Sequence, residues 1–150
     1  MRYICQAACF AALAAAQPPA PAELTVRGDL ATALVLKPAD LASMPRETVS
    51  IPDQDGANVS YEGVPLGKDL RGKALASYVL AKAHDGYQVV FSLGELDATL
   101  GNESIVIADK RDGKPLFGYQ GPFRLVCPHD KAGARSVRML ETLEFVRLQK

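Results

Sequence analysis

Apolar and polar residues alternate over short runs along most of the chain, and each run closes on Gly, Pro, Asn or Asp. Leu24-Thr25-Val26-Arg27-Gly28 and Ala33-Leu34-Val35-Leu36 read as two strands broken at Gly28-Asp29. Pro38 to Met44 predicts a short helix, with Pro in its first turn and Pro45 ending it. Glu47 to Ile51 and Asn58 to Tyr61 flank the turn Asp53-Gln54-Asp55-Gly56, which is a hairpin pattern. A stronger hairpin joins Ala76–Ala81 to Tyr87–Phe91 around His84-Asp85-Gly86. Leu93 to Leu100 predicts a short amphipathic helix that turns Glu95 and Asp97 outward. Ile105-Val106-Ile107-Ala108 is wholly apolar and predicts a central strand; Phe123–Cys127 and Thr142–Leu148 complete the set. Many short strands with a few short helices predict an α+β domain.

Composition narrows the function classes. The chain has 150 residues, 48% of them apolar, which suits one domain with an ordinary core. Its 17 basic and 17 acidic residues cancel, so the basic footprint of a nucleic-acid binder is missing. The first residues read differently from the rest. Arg2 precedes a short apolar run from Ile4 to Ala16, and small residues then offer cleavage sites after Ala16, Ala20 or Ala22. That order predicts a secretory signal and a Pro/Ala-rich tether over 1–22, followed by one domain over 23–150. The expected location is outside the cytoplasm, periplasmic in a bacterium. Cleavage near Ala22 would remove Cys5 and Cys9 and leave Cys127 alone, so no internal disulfide is expected.

An ordered series of short motifs carries the functional signal. Tyr61-Glu62-Gly63-Val64-Pro65-Leu66 is followed by Asp85-Gly86-Tyr87 and then by Asp112-Gly113-Lys114-Pro115-Leu116. Gly121-Pro122-Phe123-Arg124-Leu125-Val126 and the segment Lys131 to Arg138 close it. In this order, between alternating strands, the motifs resemble the molybdopterin-binding domain of the sulfite oxidase family. The resemblance runs from about Leu24 onward. It implies layered mixed β-sheets with short helices, and a pterin lying across loops at one end. It also implies an exported pterin-binding protein acting in binding or signalling, without catalysis. The partners it implies are a small-molecule pterin and either a membrane receptor or a redox partner.

Two departures from the family pattern shape that expectation. The family's enzymes hold molybdenum through a cysteine thiolate, yet the corresponding stretch here, Val49-Ser50-Ile51-Pro52-Asp53, has no Cys. Molybdenum is therefore not expected, and the alternative function, a molybdopterin-dependent oxidoreductase domain working with a redox partner, ranks second. Cys127 alternates with Phe123 and Leu125, which predicts a small buried hydrophobe on the apolar face of its strand. The second departure follows Leu66, where the family continues with a helix of about three turns. This chain passes straight into Gly67-Lys68-Asp69-Leu70-Arg71-Gly72-Lys73.

The candidate cofactor-binding residues are Asp85, Tyr87, Lys131, Arg135, Ser136 and Arg138. Lys supplies a point charge and Arg a planar fork that suits phosphate or the edge of a heterocycle. Gly133 lets backbone approach a ligand. On the residues alone, Lys131–Arg138 reads equally well as a solvated basic loop, and Asp85-Gly86-Tyr87 is first of all a turn with Gly86 at positive φ. In the binding reading, the Asp85 carboxylate pairs with pterin N–H groups and Tyr87 stacks or hydrogen-bonds. Asp109 and Asp112 are similar candidates, although Asp112-Gly113 is itself a turn pattern. Cys127-Pro128-His129-Asp130 lacks a second Cys/His cluster, so no metal site is assigned. No nucleophile-elbow pattern supports a hydrolase, and no catalytic residue is assigned.

Overall fold

The computed structural model describes residues 22–53, 55–67, 76–97, 104–131 and 133–149. The expected leader, apart from Ala22, lies outside the described residues, as does the segment following Gly67. The first element is strand β1 (Leu24–Gly28), followed by β2 (Leu34–Leu36), helix α1 (Pro38–Ser43), β3 (Glu47–Pro52) and β4 (Asn58–Pro65). The hairpin β5 (Tyr78–Ala83) and β6 (Gln88–Ser92) leads to β7 (Val106–Arg111), β8 (Lys114–Pro115), β9 (Arg124–Val126) and β10 (Leu140–Val146). Among the described residues α1 is the single α-helix, and Gly118–Gln120 adds one 3-10 turn. The α+β expectation thus resolves into a mostly β structure with little helix.

The strands form two sheets. The first has the order β2-β1-β10-β5-β6, and its β1–β10 pair is parallel while the others are antiparallel. The second, wholly antiparallel, runs β3-β4-β7-β8, with β9 also pairing β7. As expected, β7 is internal to its sheet. The alternation of β5 buries Val79, Ala81 and Ala83, and β10 buries Leu143 and Phe145 on the same side. They share one core with Val64, Leu66, Ile107, Phe123 and Leu125 of the second sheet and its flanks. Burying a side chain such as Phe91, Phe123 or Phe145 contributes about 1.5–3 kcal/mol each.

Local chemistry explains the details. Asp40 Oδ2 accepts the Lys37 N–H at 2.8 Å and Pro38 opens the helix, so α1 starts where the sequence says it should. The register of β4 against β7 shifts between Glu62 and Gly63, and there the backbones nearly touch. A Cβ on Gly63 would stand 1.9 Å from the Ile107 carbonyl oxygen. The amphipathic helix expected over 93–100 is not formed in its described half. Residues 93–96 are turns, opened by a reciprocal cap in which Ser92 Oγ accepts the Glu95 N–H and Glu95 Oε1 accepts the Ser92 N–H. Nor does Glu95 face outward freely: its carboxylate is held by Arg135 and by Ser92.

Ion pairs should make stability depend on pH. A hydrogen bond from Arg46 holds the Glu62 carboxyl below its ordinary 4.5, and one from Lys82 does the same for Glu144. Both contributions are present above pH 4.5 and fade as pH falls through the lower native values. His84 is the opposite case. Its ring lies 2.9 Å from Glu141, which raises it above 6.5, so its contribution is full below pH 6.5 and fades as pH rises through the native value. Thermal melts at low salt should therefore peak between pH 4.5 and 6.5. His84→Gln should flatten the alkaline limb and leave the acid limb unchanged. An alkaline decline of wild-type steepness in that variant would exclude His84 as its source.

Candidate functional site

Strand β9 decides where the chemistry lies. Phe123, Leu125 and Cys127 point into the main core, so Arg124 and Val126 must face the other way. On that far face Val126 joins Val49, Val59, Tyr61, Val106, Ala108 and Leu116 in a second, smaller cluster. Arg124 lies beside them, only 8% exposed, with its guanidinium carbon 4.8 Å from the centre of the Tyr61 ring. Its Nη1 donates to Tyr61 Oη and to Gln120 Oε1, both at 2.6 Å. No carboxylate pairs with it among the described residues, and its buried Nε has no hydrogen-bond partner there. Burial pushes its pKa down, Tyr61 opposes this, and the nearby Arg138 and Arg111 push it down further.

Two adjoining hollows open beside this arginine. The larger, of about 720 Å³, lies over Tyr61, Arg111, Tyr119, Lys131 and Arg138. The smaller, of about 220 Å³, is bordered by Ala83, Asp85 and Tyr87. Arg124, Gly133, Ser136 and Arg138 line both, so they form the shared wall of one groove.

Five of the six sequence candidates reach this groove. Asp85, Tyr87, Ser136 and Arg138 border the smaller hollow, while Lys131, Ser136 and Arg138 border the larger. Asp85 is also a turn residue, since its Oδ1 accepts the Tyr87 N–H at 3.0 Å and Gly86 takes a φ of +88°. Tyr87 Oη donates to the Ala134 carbonyl at 2.7 Å, which ties the β5–β6 hairpin to the loop after β9. Ser136 Oγ accepts the Cys127 N–H at 3.1 Å and so fixes the loop's return.

Arg135, the sixth candidate, lines neither hollow. It forks onto Asp130, reaches Glu95, and lies 5.2 Å from the centre of the Phe91 ring. Those carboxylates, Asp130 first and then Glu95, hold it above its ordinary value. Its place is that of a strut between the loop and β6. Asp109 is taken up by Arg46, and Asp112, at φ +48°, accepts from Ser60, so neither joins the groove.

Cys127 is 2% exposed and packs in the main core as expected, with its Sγ 3.4 Å from the Arg135 carbonyl. Although the residue borders the larger hollow, its side chain belongs to the apolar cluster. Among the described residues no three His, Cys, Asp or Glu side chains converge as a metal site. No helix there is long and apolar enough to cross a membrane.

A sheet pair carrying a polar groove along one outer face can be compared with known structures. The fold is shared with the sulfane dehydrogenase SoxCD of Paracoccus pantotrophus. The match has a TM-score of 0.70 at 20% identity and covers 84% of this chain. This chain spans 38% of the matched one. At that identity the likeness to SoxCD shows the fold alone. No family model matches the sequence, and neither does any curated protein.

Arg124, Tyr61, Arg111 and Tyr119 were not singled out by sequence reasoning. For Arg124 the signal was present: in a strand whose odd positions are apolar, the intervening Arg lies on the opposite face. The two tyrosines carried no such mark, because Tyr61 on β4 and Tyr119 in the 3-10 turn border the same hollow only once the chain has folded.

Proposed function

We propose that this protein binds a pterin-type ligand in the groove and acts in binding or signalling, without catalysis of its own. The observation that carries the reading is Arg124. A guanidinium this buried, lacking a carboxylate and keeping one N–H without a partner, is costly unless an anionic or acceptor-rich ligand completes it. The motif series adds the chemical identity. Asp85 supplies a carboxylate matched to an aminopyrimidinone edge, while Arg124, Arg138 and Lys131 supply charge for an anionic side chain. The residues thus fit the organic part of a molybdopterin-type cofactor. They do not offer the sulfur ligand, since β3 has none and the Cys127 thiol packs in the core.

The expected setting is export, with cleavage near Ala22 and presentation of the ligand to a membrane receptor. Titration calorimetry with dihydroneopterin monophosphate tests binding directly. Ligand at a hundredfold over Kd should add about 2.7 kcal/mol of stability and raise Tm by several degrees. The absence of both heat and a Tm shift at high micromolar protein would remove the reading.

A second reading, a molybdopterin-dependent oxidoreductase domain working with a redox partner, draws on the fold shared with sulfane dehydrogenase. Elemental analysis of protein made in a molybdenum-competent host separates the two. Stoichiometric molybdenum favours the enzyme, and its absence from pterin-loaded protein favours the binding module.

A further inference from the structure

We propose that the larger hollow accepts a nucleoside diphosphate moiety, with its phosphates on Arg124, Arg138 and Lys131 and its base against Tyr119. The proposal extends the pterin reading. A free nucleoside diphosphate and the tail of a dinucleotide-type pterin would present the same chemistry to this face.

Size is the first argument. A hollow of about 720 Å³ falls within the range of roughly 300–1,000 Å³ that holds a drug-sized ligand. It exceeds the adjoining 220 Å³ compartment more than threefold, far beyond the needs of one phosphate. Charge is the second. Four cations border it, and Arg111 is held by Asp53 at 2.6 Å. Arg124, Lys131 and Arg138 have no carboxylate partner among the described residues, so three positive groups face one space. Burial pushes the Arg124 pKa down, and Arg138 and Arg111 push it the same way against Tyr61 and Asp53, as like charges around one space do. A diphosphate ester offers these three groups several ionised oxygens, whereas a neutral ligand would leave the repulsion unrelieved.

The third argument is aromatic. Tyr119 is 65% exposed at the lip of the hollow, with the Arg138 guanidinium 5.4 Å from its ring centre. A base stacked on that platform would contribute about 1–3 kcal/mol. The hollow is not uniformly basic, because Asp53 and Asp55 on the β3–β4 hairpin also border it. A carboxylate there suits the N–H donors of a base and would repel a further phosphate.

The experiment is calorimetry of the full protein with GDP, GMP, guanosine, inorganic pyrophosphate and dihydroneopterin, on wild type, Tyr119→Ala and Arg138→Gln. Both substituted side chains are exposed, so folding is not at stake. GDP should bind about tenfold tighter than GMP, and guanosine weakest of all. Tyr119→Ala should weaken GDP by about tenfold and leave pyrophosphate unchanged, while Arg138→Gln should weaken both. GDP binding no tighter than guanosine, or equally tight in Tyr119→Ala, overturns the proposal. Dihydroneopterin binding without GDP sinks only this extension; GDP binding without dihydroneopterin sinks only the pterin reading. The mass of small molecules released from natively purified protein tells a free nucleotide from a dinucleotide-type pterin.

Discussion

Arg124→Met should abolish ligand binding in the groove, by about a hundredfold or more, and yet leave folding stability within about 1 kcal/mol of wild type. The two effects part company because the side chain is poorly supported in the free protein. It is 8% exposed, has no carboxylate partner and keeps a buried Nε without an acceptor. Methionine occupies similar volume and would pack on Tyr61 without that desolvation cost. What the variant loses is the pair of hydrogen bonds from Nη1, which leaves Tyr61 Oη buried without its donor. That loss offsets the gain. Adding Tyr61→Phe removes the stranded hydroxyl, so the double variant should be more stable than wild type by about 1–2 kcal/mol. Chemical denaturation gives the stability and calorimetry the affinity. A large destabilisation of the double variant, or retained affinity in the single one, would show that Arg124 serves the fold alone.

Gly63→Ala is expected to do the reverse, destroying the fold with no direct contact with the groove. The added Cβ would stand 1.9 Å from the Ile107 carbonyl oxygen and 2.5 Å from the Ala108 Cα. All of these are backbone atoms in paired strands, so no side chain can rotate away to make room. Relief requires β4 and β7 to separate, and those strands are the middle of the second sheet. A loss above about 4 kcal/mol is expected, a large share of the 5–15 kcal/mol that typical domains possess. Circular dichroism and yield of soluble protein are the readouts. Native-like melting of Gly63→Ala would show that the bulge at Glu62–Gly63 can absorb the methyl group.

Much of this architecture was legible in the chain. Period-two alternation placed strands such as β5 and β6, which bury one face, the wholly apolar run placed β7, and Pro38 and Pro45 bracketed α1 by backbone rules that need no tertiary contact. Sheet membership was less accessible, since nothing local records that β10 inserts between β1 and β5. The helix expected over 93–100 gives way to turns in its described half, where Gly94 is a poor helix former and Arg135 holds Glu95 from forty positions away. The site shows the same division. Asp85, Tyr87, Ser136 and Arg138 were marked by their motifs, and the fold does gather them. Arg135 lay in the same motif, but its carboxylate partners could not be read from it. Tyr119 belongs to a short turn whose role depends on the guanidinium of Arg138 beside it.

The position of β10 has a consequence for biogenesis. It is the last-made of the strands described, yet it supplies the only link between β1 and β5. A nascent chain that has emerged as far as β9 can close hairpins, but its first sheet remains in two unjoined pieces. The first sheet should therefore be completed only once β10 has been made, whereas the second sheet needs no strand later than β9 and can close before it.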